Sequence, residues 1–233
     1  MTDRIREIAF DTETTGFHAL EDDRIIELGA VELINHVPTG RTFQRRINPR
    51  RSVPEKVTEI TGICDEDLIG SPFFEDPDVV DAFLSFVGDS TLVAHNAAFD
   101  RTFLNAELAR CGRPPVPDDR WVDTVAMARK RFPGAPASLD ALCKRFDISL
   151  ESRTFHGALL DSQLLASVYL ELLGGRARAF SFDGGNGQEE GAARPPAQQR
   201  PRPLASVATA QELAAHAALV EKLGAGAIWN KIS

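Results

Sequence analysis

Apolar residues come in short runs over the first hundred positions and at helical spacing after that, and this change of period sets the expected architecture. Residues 5–10 and 25–34 are rich in β-branched and apolar side chains between polar turns, so both predict strands, paired with each other. Residues 42–47 alternate well enough for a third strand, which Pro49 closes, and residues 91–94 form a short apolar run of the kind buried at a sheet centre. From Ala97 the period becomes helical through Phe99, Phe103, Leu104 and Leu108, with Asn96 as N-cap and Gly112 and Pro114 as the stop. Residues 79–87, 123–131, 138–146 and 157–173 predict further helices. Short-linked consecutive strands pair antiparallel, so the expected fold is an α/β domain over residues 1–175 with a mixed sheet.

The pattern breaks after Gly174 and Gly175. Residues 183–203 hold no aromatic side chain and no aliphatic one larger than alanine, and they are punctuated by glycine and proline. Such a stretch buries too little to offset its ordering entropy, which makes residues 183–203 the flexible part of a linker expected over residues 176–203. A capping box, Thr209 to Glu212, then opens a helix with Leu213, Ala217, Val220 and Leu223 at helical spacing. So short a helix is marginal alone in water, so the tail, residues 204–233 with Ile228 and Trp229, is expected to need another surface.

A net charge of −8 argues against tight binding to nucleic acid by electrostatics alone; a phosphate-cleaving enzyme of this composition needs metal ions or a partner to hold its substrate. Cys64, Cys111 and Cys143 lie far apart with no Cys-x-x-Cys spacing, which predicts reduced core thiols in a cytoplasmic protein. No apolar run reaches the roughly 18 residues of a membrane span, and no membrane role is expected.

Three short motifs concentrate the chemistry: Asp11-Thr12-Glu13-Thr14-Thr15-Gly16, His95-Asn96-Ala97-Ala98-Phe99-Asp100 and His156-Gly157-Ala158-Leu159-Leu160-Asp161. Asp11 and Glu13 are two apart on a strand and leave the same face, which makes half of a magnesium or manganese site or the solvated face of an edge strand. Asp100 falls in the first turn of a helix, where a carboxylate is favoured whatever its function. Parallel neighbours, however, would bring the ends of the Asp11 and Thr91 strands together, where α/β sheets build their sites. His95 is read as a strand-end histidine satisfied by hydrogen bonds. On one continuous helix His156 and Asp161 would stand roughly 140° apart. They converge only if Gly157 breaks the chain between an imidazole ahead of the helix and a carboxylate inside it; a histidine there stays neutral and takes a proton from water.

In this order the three motifs resemble the DEDDh (DnaQ-like) family of 3′-to-5′ exonucleases, over residues 5–175. Residues 124–133, the run Ser138-Leu139-Asp140-Ala141-Leu142-Cys143 and residues 156–173 are similar, more narrowly, to the proofreading epsilon subunits of bacterial DNA polymerase III. The resemblance implies a ribonuclease-H-like fold with a mixed five-stranded sheet. It implies two divalent cations, Mg²⁺ or Mn²⁺, on Asp11, Glu13, Asp100 and Asp161, with His156 as general base. Thr12, Thr14, Gly62, Ile63 and Phe99 would line the pocket for the terminal nucleotide of a single-stranded 3′ end of DNA. It also implies a polymerase subunit bound through residues 204–233 and a sliding clamp bound through residues 177–182. That clamp segment starts with Ala177 where glutamine is usual, and Thr61 stands where many such subunits carry histidine. An RNA-trimming exonuclease resembling ribonuclease T, and a non-catalytic polymerase scaffold, remain alternatives on sequence alone.

Overall fold

Three strands meander through the first part of the chain, β1 (Arg6–Thr14), β2 (Ile25–Ile34) and β3 (Val37–Arg46), and two short strands, β4 (Thr91–Ala94) and β5 (Trp121–Asp123), complete one sheet. The computed structural model describes residues 4–150, 155–175 and 209–223, which belong to two units, Met1–Gly184 and Gly185–Ser233. The sheet order is β3-β2-β1-β4-β5. Pairing is antiparallel from β3 to β1 and parallel from β1 to β5, the mixed sheet expected from the strand spacing.

The helices of the first unit are α1 (Glu55–Thr61), α2 (Val80–Val87), α3 (Ala97–Arg110), α4 (Thr124–Arg131), α5 (Leu139–Arg145) and α6 (Ala158–Leu172). Strand alternation divides them between the two faces of the sheet. Ile8 and Phe10 of β1 pack in one cluster with Phe83 of α2 and with Phe103 and Leu104 of α3. Ala9 points the other way, into a cluster with Leu142 of α5 and Leu165, Val168 and Tyr169 of α6. Helix α6 crosses β2 at Gly29, where a β-carbon would lie 2.1 Å from the backbone carbonyl carbon of Ala158. The gap is closed by hydrogen bonds: Ser162 Oγ donates to the Gly29 carbonyl at 2.9 Å and Ala158 N–H donates to Glu27 Oε2 at 2.8 Å.

Four details depart from the sequence expectations. Strand β3 begins at Val37, five residues early, because its first half is an exposed edge carrying no apolar alternation. Helix α1 and strand β5 carry no sequence signal of their own, being too short for a period to show. Asn96 occupies the N-cap position of α3 without a side-chain cap bond, its backbone in the left-handed region at φ 69°. Of the three free cysteines Cys143 alone is buried, while Cys64 is part exposed and donates to Asp67.

In the second unit a single described helix, α7 (Ala210–Leu223), starts at the expected capping box. Thr209 N–H donates to Glu212 Oε2 at 2.8 Å and Glu212 N–H to Thr209 Oγ1 at 3.3 Å. Leu213, Leu219 and Leu223 are each more than half exposed. The linker, the clamp-like segment 177–182, Ile228 and Trp229 lie outside the described residues.

Gly29→Ala should destabilise the protein by about 3 kcal/mol, the upper part of the usual overpacking range, because backbone rather than a flexible side chain fills the space. Urea unfolding monitored by circular dichroism checks this; an unchanged midpoint would mean that α6 does not rest on β2 this closely.

Candidate active site

Strand β1 sends acids to both faces of the sheet. Asp11 and Glu13 share the parity of Ala9 and so face α6, and Asp161, buried in the first turn of α6, meets them there. Ligand oxygens of Asp11, Glu13 and Asp161 lie within 4.8 Å of one another, a set of hard donors that suits a hard divalent cation. Gly157 precedes α6 in extended backbone, the break that lets His156 and Asp161 converge. His156 N–H donates to the Ile60 carbonyl at 3.1 Å, and its ring Nδ1 lies 3.2 Å from Asp161 Oδ2.

Asp100 arrives from the opposite layer and is not one of that close trio. Thr12, between the two β1 acids, points toward α3 and donates through Oγ1 to Asp100 Oδ1 at 2.9 Å. Burial pushes the Asp100 carboxyl up to about 7. A bound cation would reverse that shift by favouring the ionised form.

The loop between β4 and α3 is held by residues that sequence reasoning passed over. Asp123, expected inside a helix, instead ends β5, accepting the N–H groups of Val125 at 2.9 Å and of Asn96 at 3.1 Å. Thr124 Oγ1 contacts His95 Nδ1 at 2.9 Å and donates to the Ala94 carbonyl at 3.2 Å, so His95 is hydrogen-bonded as expected. Burial lowers the His95 pKa, keeping the ring neutral. The available signal was an Asp-Thr pair ahead of a helical run, an N-cap signature.

Two hollows border these carboxylates. One, of about 260 Å³, is lined by Asp11, His95, Asp140, His156 and Asp161. The other is an apolar cleft of about 310 Å³ lined by Thr12, Glu13, Thr14, Phe17, Ile60 and Phe99 among others. The rings of Phe17 and Phe99 meet edge to face, centroids 6.2 Å apart. Gly62 and Ile63 are not part of this lining. Ile63 is buried in a small core with Ile26, Val53 and Leu68, and Gly62 ends α1 under the ring of Phe155. Val57, Ile60 and Thr61 of α1 line the cleft instead, a helix that no sequence signal had revealed.

Residues 8–169 match the sequence profile of an exonuclease family named for ribonuclease T. The chain belongs to the DEDDh exonuclease family. It is a 3′-to-5′ exonuclease, a hydrolase of a family that works with divalent metal ions. It is 48% identical over 181 residues to the DNA polymerase III epsilon subunit of Rickettsia conorii, covering 76% of this chain and 78% of that one. The epsilon subunit of Escherichia coli K12 is 40% identical over 238 residues, with 97% of each chain covered. Among solved structures, exonuclease X bound to 5′-overhanging duplex DNA is 25% identical, covers 73% of this chain and 91% of its own, and superimposes with a TM-score of 0.56. The nuclease domain of the DEDDh member 3′hExo, bound to rAMP, gives 0.62 at 19% identity, covering 74% of this chain and 94% of its own, and shares the fold.

The raised Asp100 pKa makes a signed prediction for metal-free protein. A carboxyl that binds its proton more tightly when folded costs stability as pH rises from its ordinary value of 3.8 to about 7, and the full cost persists above that. Asn at this position keeps an acceptor for Thr12 without the charge. In excess chelator, Asp100→Asn should therefore raise the melting temperature more at pH 8 than at pH 5; an equal change at both would refute the shift.

Proposed function

We propose that the chain is the proofreading exonuclease of a bacterial replicative DNA polymerase, removing mismatched nucleotides one at a time from single-stranded 3′ ends as 5′-mononucleotides. The observation that carries this reading is the Asp11–Glu13–Asp161 trio with His156 at its edge, in a chain at 40–48% identity to epsilon subunits. Four carboxylates near one strand end repel one another, a cost with no purpose in a mere scaffold. RNA trimming is less favoured, since the relatives at 40–48% identity are subunits of a DNA polymerase.

Asp11, Glu13 and Asp161, with Asp100 from the far layer, would hold two divalent cations, Mg²⁺ or Mn²⁺. Bound there, such ions lower the pKa of an attacking water and stabilise the leaving oxygen. The other steps belong to the protein. The contact from Nδ1 to Asp161 orients the imidazole and selects the tautomer in which Nε2 accepts a proton from water. The apolar cleft, with Phe99 and the Thr12 to Thr14 strand end, would receive the terminal base through contacts that tolerate any sequence. Thr12 would keep Asp100 in register with the β1 acids.

The tail reading rests on α7, whose leucines are exposed, and on the match to the Escherichia coli subunit over 97% of each chain. Residues 204–233 would dock on the polymerase, and the flexible residues 183–203, with a span of about 25 Å, would keep the nuclease near the primer end. That tether lets a protein of net charge −8 act on DNA that its partner holds. Residues 177–182 would contact the sliding clamp by their apolar end, and the assembly would work in the cytoplasm.

Asp11→Ala or Asp161→Ala should abolish digestion of mismatched primers while the fold survives, whereas His156→Ala should slow it about 10² to 10⁴-fold with metal binding retained. Calorimetric manganese titration beside single-turnover digestion separates these roles. Near-normal hydrolysis by either aspartate variant would sink the metal assignment. Removing residues 204–233 should leave exonuclease activity intact and abolish co-elution with the polymerase subunit; persistent co-elution would place docking elsewhere.

A further inference from the structure

Glu27 is 2% exposed on β2, and nothing in the chemistry above uses it. It stands beside the site in the sheet register, paired with Glu13 on one side and Arg46 on the other. Its carboxylate reaches out of the sheet to accept the N–H of Ala158, the first residue of α6, at 2.8 Å. The other oxygen accepts Gln44 Nε2 at 3.0 Å, and Arg46 Nε lies 3.8 Å away.

This contact is in the wrong place for an ordinary cap. A helix normally satisfies its first N–H groups with the side chain of its own N-cap residue. Here that residue is Gly157, which supplies none, and the cap comes from a strand 131 positions away in sequence. His156 lies one residue before Gly157, and Asp161 three residues after Ala158. The α6 terminus that Glu27 holds is therefore the element that sets where both of these side chains stand relative to Glu13. Gly29 adds the second constraint by admitting the backbone of Ala158 directly onto β2.

We propose that Glu27 is a positioning residue that fixes the start of α6, and through it His156 and Asp161, against the β1 carboxylates. Building on the exonuclease reading of the site, this assigns a catalytic consequence to a buried acid that lies outside the close trio and lines neither hollow.

The test uses the full chain with Glu27→Ala, Glu27→Gln and the exchange Glu27→Gln with Gln44→Glu. Glu27→Gln keeps an oxygen for Ala158, and Gln44 can turn its own amide to accept the new N–H, so this conservative variant should lose little. The exchange returns a matched set, Gln at 27 accepting from Ala158 and donating to Glu at 44. On single-stranded DNA, Glu27→Ala should lower kcat about 10 to 100-fold, the range for residues that orient metal ligands, and raise the manganese concentration for half-maximal rate, with KM little changed. The exchange should recover most of the loss. In metal-free protein, hydrogen exchange at the Ala158 amide should accelerate in Glu27→Ala and slow again in the exchanged pair.

Unchanged kcat and manganese requirement in Glu27→Ala would overturn the proposal, as would unchanged Ala158 exchange, or an exchanged pair that regains its melting temperature without regaining kcat. If Glu27→Ala does not fold, Glu27→Met, which fills the same space without an acceptor, carries the same comparison with the exchanged pair. An inactive parent chain would count against the exonuclease reading, while the amide exchange would still decide whether Glu27 holds α6.

Discussion

Like charges held in one small volume are the constraint around which the first unit is organised. Oxygens of Asp11, Glu13 and Asp161 lie within 4.8 Å of one another. At that separation two full charges near a protein surface repel by roughly 3 kcal/mol per pair, so loops without support would splay apart. The acids sit instead on the middle strand of a five-stranded sheet and on the first turn of a buried helix. Rigid, over-determined elements of this kind can keep such a set assembled until cations neutralise it.

The site draws on both layers of the fold, and the period of a strand explains how. Successive β1 residues point to opposite faces, so Asp11 and Glu13 reach α6 while Thr12 reaches α3 and holds Asp100. The site thus lies at the strand end, where side chains from either layer can bend round toward a common point. The parallel pairing of β1 with β4 directs the β4–α3 connection to the same end of the sheet. Asp123, the last residue of β5, and Thr124, the first of α4, hold that connection, in which the Asn96 backbone is left-handed.

Electrostatics set a second problem, how an acidic chain meets a polyanion. On the proposed reading the surface beside the carboxylates would answer part of it with apolar contact, since Phe17, Ile60 and Phe99 present a cleft for a base and Lys56 adds a cation to its lining. On the proposed reading the remainder is supplied from outside, by metal ions and by a polymerase that already grips the DNA. Weak intrinsic affinity then favours accuracy, because a nuclease that held DNA tightly by itself would also attack correctly paired ends.

By itself the sequence determined the mixed sheet, the long helices, the capping box at Thr209 and the candidate acids, because these depend on local period and on residue types within a few positions. The break at Gly157 was also legible, since His156 and Asp161 converge on no unbroken helix. Tertiary structure decided the rest. Helix α1 and strand β5 are too short to show a period, and they exist because the sheet edge and the cleft wall need covering. Ile63 looked like a pocket residue beside Gly62, yet α1 turns it into a core with Ile26 and Leu68 and presents Ile60 and Thr61 to the cleft. Glu27 and Gly29 carry no local signal that sets them apart within their strand. Their purpose appears only when α6, more than a hundred residues later, lies down on them, and contacts of that separation leave no trace in the local pattern.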